Sequence, residues 1–312
     1  MGMATSAKYF RATRAAAAAA VRVAHSIDRV AGERTINTVI SAAKWLTGAA
    51  IPSWSKHIHH PSPLPRPRAG RAGVLIPACV GTIAGRPQGA VSPAEALLAL
   101  SERAGQPLRL PKGVASHCCG LMFDSKGCAE GRLTTAAKLV DAAWQWSEEG
   151  RLPVVIDVSS CAHALLSTES ILPPTQRERL NAMDVTDAVG WLHRILDHLP
   201  LQKIRKHVIL HPTCSTHHLG LVDQMREVAA AAADQVTVPV GASCCGMAGD
   251  RGLIHPELSQ GALEEEAQQI EAADADGHYS CSPFCEAGLA RATGREWHPL
   301  VLLLHEAISE PG

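Results

Sequence analysis

The chain has 312 residues, 46% of them hydrophobic and 19% charged, with a formal net charge of -1 and a pI near 7.0. That is enough apolar material for a substantial core in two lobes, and it excludes a disordered tail. The near-neutral balance argues against bulk attraction to nucleic acid, and 4% aromatic residues leave little on which bases could stack, so no nucleic-acid role is expected.

From Ala4 to about Ala49 the sequence is alanine-rich with scattered arginines, and Val21, Val23, Ile27 and Val30 recur near helical spacing, which predicts helix. Asp28 and Glu33 interrupt the basic run and no small-residue cleavage pattern stands out, so it is not read as a targeting segment. No window reaches the roughly 20 apolar residues of a membrane-spanning helix. The expected setting is cytoplasmic, with at most a peripheral position at the inner face of the membrane. Next comes HIHHPSPLPRPR, His57 to Arg68, whose prolines disfavour both helix and central strand and predict a linker or strap. His57, His59 and His60 have no acidic or thiol neighbours in sequence and are expected to face solvent.

Beyond residue 70 the chain repeats itself. An apolar run ends in a cysteine in both halves, AGVLIPAC at Cys79 and HVILHPTC at Cys214, as a buried strand delivering a side chain at its C-terminal end. Each half then carries a Cys-Cys-Gly triplet, Cys118-Cys119-Gly120 in SHCCGLMFDSKG and Cys244-Cys245-Gly246 in ASCCGMAGDRG. Each closes with a cysteine after a strand-like stretch and before a helical one, Cys161 in LPVVIDVSSCAHALL and Cys285 in ADGHYSCSPFCEAGL. The expected fold is α/β: two related cysteine-rich lobes about a pseudo-two-fold axis, preceded by N-terminal helices. The divisions are 1–70 for the helical segment and linker, 71–200 for the first lobe and 201–312 for the second. Leu180 to Pro200 reads as the connection, with Trp191, Leu192, Ile195 and Leu196 as a buried helical stripe. Parallel strands in each lobe would gather the cysteines at the loops beyond their C-terminal ends.

Ten cysteines in a chain of this apolar content point to metal ligation rather than a disulfide framework, which belongs to small secreted domains. A vicinal pair makes a strained disulfide with itself, yet it can project two thiolates toward a multinuclear cluster. Mononuclear zinc more often uses a short Cys-x2-Cys clip, and neither half has one. The repeated plan therefore nominates Cys79, Cys118, Cys119 and Cys161 in one half, and Cys214, Cys244, Cys245 and Cys285 in the other, as ligands of an iron–sulfur cluster built from three separate loops. Backbone N–H groups of the loops that start at Gly120 and Gly246 can donate to sulfur. Lys126 and Arg251, similarly placed in the two loops, can compensate thiolate charge or form surface ion pairs. His211 is expected to shape the strand end before Cys214; His117, beside Cys118 in sequence, is not favoured as a group that tunes its thiolate. His163, His217 and His218 are expected to turn to solvent, and Cys128, outside the repeat, to pack as a small hydrophobe.

These motifs resemble the cysteine-rich CCG domains of the heterodisulfide reductase type, in particular those at the C-terminal end of FAD-linked D-lactate dehydrogenases and in glycolate oxidase iron–sulfur subunits. The likeness rests on CCGLMFDSKG, LPVVIDVSSC, HPTCSTHHLG, CCGMAGDRG and CEAGLARATGRE, and spans about residues 73 to 305. It implies the same eight cysteines as ligands, and one or two clusters of the 4Fe–4S kind. In the heterodisulfide reductase version each domain ends in Cys-x2-Cys and supplies five ligands. Here Ala-His-Ala follows Cys161, and three residues rather than two separate Cys281 from Cys285, so Cys281 is an additional but displaced candidate. The flavin domain and the Cys-x2-Cys-x2-Cys-x3-Cys-Pro ferredoxin pattern of the long dehydrogenases do not occur in this sequence. The resemblance thus implies an electron-transfer module, with FAD on a partner, a cytochrome or quinone as acceptor, no catalytic residues of its own and no lactate oxidation alone. A heterodisulfide reductase-like catalytic subunit and a zinc-bound or metal-free scaffold are the other readings.

Overall fold

In the computed structural model, which describes residues 3–308, two N-terminal helices lead into two α/β lobes of like topology. The helices are α1 (Met3–Lys8) and α2 (Phe10–Thr47). Alanine is the strongest helix former, which explains the length of α2. Gly32 (φ 79) kinks it, and Gly48, left-handed at φ 66, ends it. The expected helix is present, but the residues whose spacing marked it do not form its buried side: Val23, Ile27 and Val30 face solvent, while Phe10 and Ala18 are buried and Val21 is half-buried. In a helix so rich in alanine both sides are apolar, so spacing alone does not say which side meets the core.

The first lobe runs β1 (Gly73–Ile76), α3 (Cys79–Ala84), α4 (Pro93–Arg103), β2 (Leu108–Arg109), α5 (Leu121–Asp124), α6 (Ala129–Trp146), β3 (Val154–Ile156), α7 (Ser159–Leu166), α8 (Pro174–Ala182), β4 (Val185–Asp187) and α9 (Ala188–Ile195). The second repeats the plan with β5 (Arg205–Leu210), α10 (Cys214–His218), α11 (Val222–Ala230), β6 (Ala233–Thr237), α12 (Arg251–Ile254), α13 (Pro256–Ala272), β7 (Gly277–Ser280), α14 (Pro283–Thr293), β8 (His298–Pro299) and α15 (Leu300–Ala307). The sheets are ordered β2-β1-β3-β4 and β6-β5-β7-β8, and every pairing is parallel. Every residue of β1 and β3 is buried, as central strands covered on both faces by helices must be. Local signals start the helices: Ser92 and Glu95 form a capping box at α4, with Pro93 in the first turn.

Leu180 to Pro200 is more than a connection. It contributes β4, which pairs with β3 at the edge of the first sheet, and α9. A three-residue strand leaves almost no alternation to read. The expected stripe on α9 is present, with Trp191, Leu192 and Ile195 buried and Leu196 half-buried; Trp191 Nε1 donates to Ser101 Oγ at 2.8 Å.

The lobes pack in symmetry-matched pairs. Helix α4 meets α15 as α11 meets α9, and α3 meets α14 as α10 meets α7. The largest apolar cluster runs through both sheets, and a second, around Ile209, Leu263, Leu289 and Trp297, fills the space beneath α13 and α14. The α/β fold with two lobes about a pseudo-two-fold axis is thus observed. One consequence matters for the site: the Cys79 helix packs on the Cys285 helix, and the Cys161 helix on the Cys214 helix.

Candidate metal centre

The two central strands of each lobe end side by side, so the residues after them converge. In the first lobe Cys79 is the first residue of α3 beyond β1, and Cys161 lies in the first turn of α7 beyond β3. Cys118 and Cys119 reach the same place from the loop before α5. The four thiols close a ring: Cys79 hydrogen-bonds Cys118 and Cys161, and Cys119 hydrogen-bonds the same two. Hydrogen bonds from Cys118 and Cys161 hold Cys79 well below the ordinary thiol range and Cys119 at about 5, whereas Cys118 and Cys161, which share those bonds, are pushed well above it. Backbone donors assist: Gly120 N–H donates to Cys118 Sγ at 3.4 Å, and Val80 and Leu121 N–H serve Cys79 and Cys119. Cys118, Cys119 and Cys161 are buried, and Ala7 and Phe10 of the N-terminal helices pack over Cys118 and Phe123. The Arg14 guanidinium, half-buried on α2, adds a positive charge facing Cys79.

The second lobe has the same quartet in a more open form. Cys245 and Cys285 are buried with their Sγ atoms 2.7 Å apart, while Cys214 and Cys244 are exposed. A hydrogen bond from Cys214 lowers Cys244 to about 5 and raises Cys214 in turn; the bond shared with Cys245 raises Cys285. Gly246 N–H donates to Cys244 Sγ at 3.5 Å, the counterpart of Gly120 in the first lobe. His211, which precedes Pro212 at the end of β5, is fully buried. Its Nδ1–H donates to both carboxylate oxygens of buried Glu266 at 2.8 and 2.9 Å, and its Nε2 has no hydrogen-bond partner among the described residues. A ring nitrogen of His211 and the Sγ atoms of Cys245 and Cys285 lie within 4.8 Å of one another.

The donor sets fit a thiophilic metal group. All ten cysteines are free, soft thiolates converge from three loops in each lobe, and a buried imidazole nitrogen in the second stands unpaired beside them.

Other nominated residues fall elsewhere. Cys281, at the end of β7, turns to Met225 Sδ at 3.8 Å and toward Ser159 and Thr216, away from the Cys245 and Cys285 pair. Strand end and helix turn aim the two side chains to different sides, and burial pushes the Cys281 thiol well up. Lys126 pairs with Asp250 at 2.8 Å, which ties the triplet loop of one lobe to that of the other; Arg251 is exposed. Cys128 packs with Cys118 and Phe123 as a small hydrophobe. His117 turns to Gly113 O at 3.2 Å and lies edge-on to Trp146. His217 and His218 are exposed, as expected, and His163 is half-buried; His163 and His218 stack across the lobes, centroids 4.8 Å apart, and His217 bonds Ala242 O. His57, His59 and His60 are half-buried: His59 Nε2 meets Glu286 at 3.0 Å, and His60 stacks on His25. Sequence reasoning missed Glu266, Phe10 and Arg14. Nothing in GALEEEAQQ singles out Glu266, and only its place on the inner face of α13 does so.

A duplicated α/β scaffold with a thiol quartet at the sheet end of each lobe defines a cysteine-rich metal-binding protein. Residues 208–290, within the second lobe, match the family described as the CCG cysteine-rich domain. Over 193 residues, 59% of this chain and 47% of the relative, the sequence is 24% identical to the glycolate oxidase iron-sulfur subunit of Escherichia coli (strain K12). The resemblance to the CCG iron–sulfur family is therefore borne out. The chain spans about half the length of the curated relative it matches.

Proposed function

We propose that this chain is the iron–sulfur electron-transfer module or subunit of an FAD-linked 2-hydroxy-acid dehydrogenase acting on D-lactate or glycolate. Its donor is a flavin-binding partner and its acceptor a cytochrome or quinone. The observation that carries the reading is the closed ring of Cys79, Cys118, Cys119 and Cys161, repeated as an opened quartet in the second lobe.

A bound iron–sulfur cluster supplies one-electron redox chemistry, which divides the two electrons of a hydroxy-acid oxidation into single steps. The residues of this chain hold and tune it. Cys79, Cys118, Cys119 and Cys161 would ligate in the first lobe and Cys214, Cys244, Cys245 and Cys285 in the second. Gly120 and Gly246 N–H groups donate to ligand sulfur and favour added negative charge. Phe10 and Ala7 keep water from the first quartet, and the matched packing of α3 on α14 and α7 on α10 sets the quartets on either side of one interface. No helix among the described residues is long and apolar enough to cross a membrane, so a peripheral position would come through partners. The test is iron, acid-labile sulfide and zinc content after anaerobic purification. Iron and sulfide that fall by half when Cys118 and Cys119 are both changed to serine support the reading; stoichiometric zinc, or no metal after reconstitution, sinks it.

A further inference from the structure

We propose that His211 is a metal ligand of the second lobe, making that centre a mixed imidazole–thiolate site where the first is held by thiolates alone. This rests on the cluster reading above and adds a residue to it.

The lobes differ at this point. Three residues before the strand-end cysteine stands Ile76 in the first lobe and His211 in the second, both buried and each followed by proline. Burying an imidazole with a free nitrogen is costly unless that nitrogen finds a partner. His211 Nε2 has none within the described residues, although its other nitrogen is fixed by Glu266. Because Nδ1 carries the proton donated to the carboxylate, Nε2 keeps its lone pair and is ready to coordinate. A carboxylate that holds the far nitrogen of an imidazole is the usual support of a histidine ligand, fixing ring orientation and raising basicity. Glu266 is therefore the positioning residue.

Distance supports the same assignment. Bonds of thiolate and imidazole to a metal ion are about 2.3 and 2.0–2.1 Å, so two ligands of one ion stand at most about 4.6 Å apart. A His211 ring nitrogen and the Cys245 and Cys285 sulfurs, all within 4.8 Å of one another, lie close to that limit, so a small adjustment of side chains lets them share one ion. A neutral imidazole brings no negative charge to the centre, in contrast to a thiolate, and the second lobe is also the more open of the two, with Cys214 and Cys244 exposed.

The test uses the full chain, labelled with 15N-histidine, reconstituted with iron and sulfide and reduced, with pulsed EPR of the Cys118→Ser/Cys119→Ser variant to isolate the second lobe. The expected result is a directly coordinated nitrogen whose coupling changes with the isotope and vanishes in His211→Gln, whose amide can still donate to Glu266. A second-lobe cluster without histidine nitrogen coupling, or with coupling that persists in His211→Gln, would overturn the ligand while leaving the electron-transfer reading intact. The labelled parent decides by itself whether an imidazole is bound, so the test survives a variant that does not fold. Failure to take up iron and sulfide, with zinc absent too, removes both proposals. Zinc at the second lobe with a nitrogen at about 2.0–2.1 Å by X-ray absorption, lost in His211→Gln, supports the ligand and counts against electron transfer there.

Discussion

Gly246 sits at φ 65, and a Cβ there would lie 2.6 Å from Leu258 O and 2.7 Å from Ser259 Cα. Both are backbone atoms that cannot give way cheaply. Gly246→Ala should cost about 1–3 kcal/mol and reduce second-lobe metal while sparing the first, as measured by urea unfolding and iron analysis. His278 offers a separate check. Burial lowers it to about 4, so it stays neutral in the folded state. Its contribution is complete above the unfolded imidazole value and is lost as pH falls through about 4. Replacing His278 by Gln should flatten the decline in stability between pH 6.5 and 4, read by melting temperature. At this scale the convergence of the cysteines was legible, because paired cysteines in a repeated frame have few other uses. The partners that orient them were not: Glu266 is one carboxylate in an acidic run, and the role of His211 depends on which way its ring faces.

The N-terminal helices couple helix propensity to the site. Alanine content made α2 legible, but the side it presents to the lobes was not, and the residues that matter are Phe10 and Arg14 rather than the valines. Phe10→Ala should cost roughly 3 kcal/mol, because Phe10 is 3% exposed and packs with Cys118 and Phe123. It should also admit water and oxygen to the first quartet. The check is the rate of air bleaching of the cluster in the Cys244→Ser/Cys245→Ser background, which should rise severalfold; an unchanged rate would separate the helices from the site. Short elements escaped for a related reason. Strands of three residues such as β4 carry no alternation, and their place becomes apparent only through pairing with β3.

Across the whole molecule, the doubled motif foretold two equivalent lobes, and the strand orders match. What repetition could not disclose is how the copies differ: a buried ring in one, an opened quartet with a histidine in the other. Nor could it show that the triplet loops touch. The Lys126–Asp250 bridge between them is partly exposed, so Lys126→Ala should change stability by less than about 1 kcal/mol and leave iron content unaltered, which calorimetry and metal analysis would show. The most direct test of the account is an anaerobic reductive titration of the reconstituted chain, followed by EPR. The account predicts one-electron steps at two centres, with Cys118→Ser/Cys119→Ser removing one and Cys244→Ser/Cys245→Ser the other. A chain that holds its metal yet takes up no electron would contradict it.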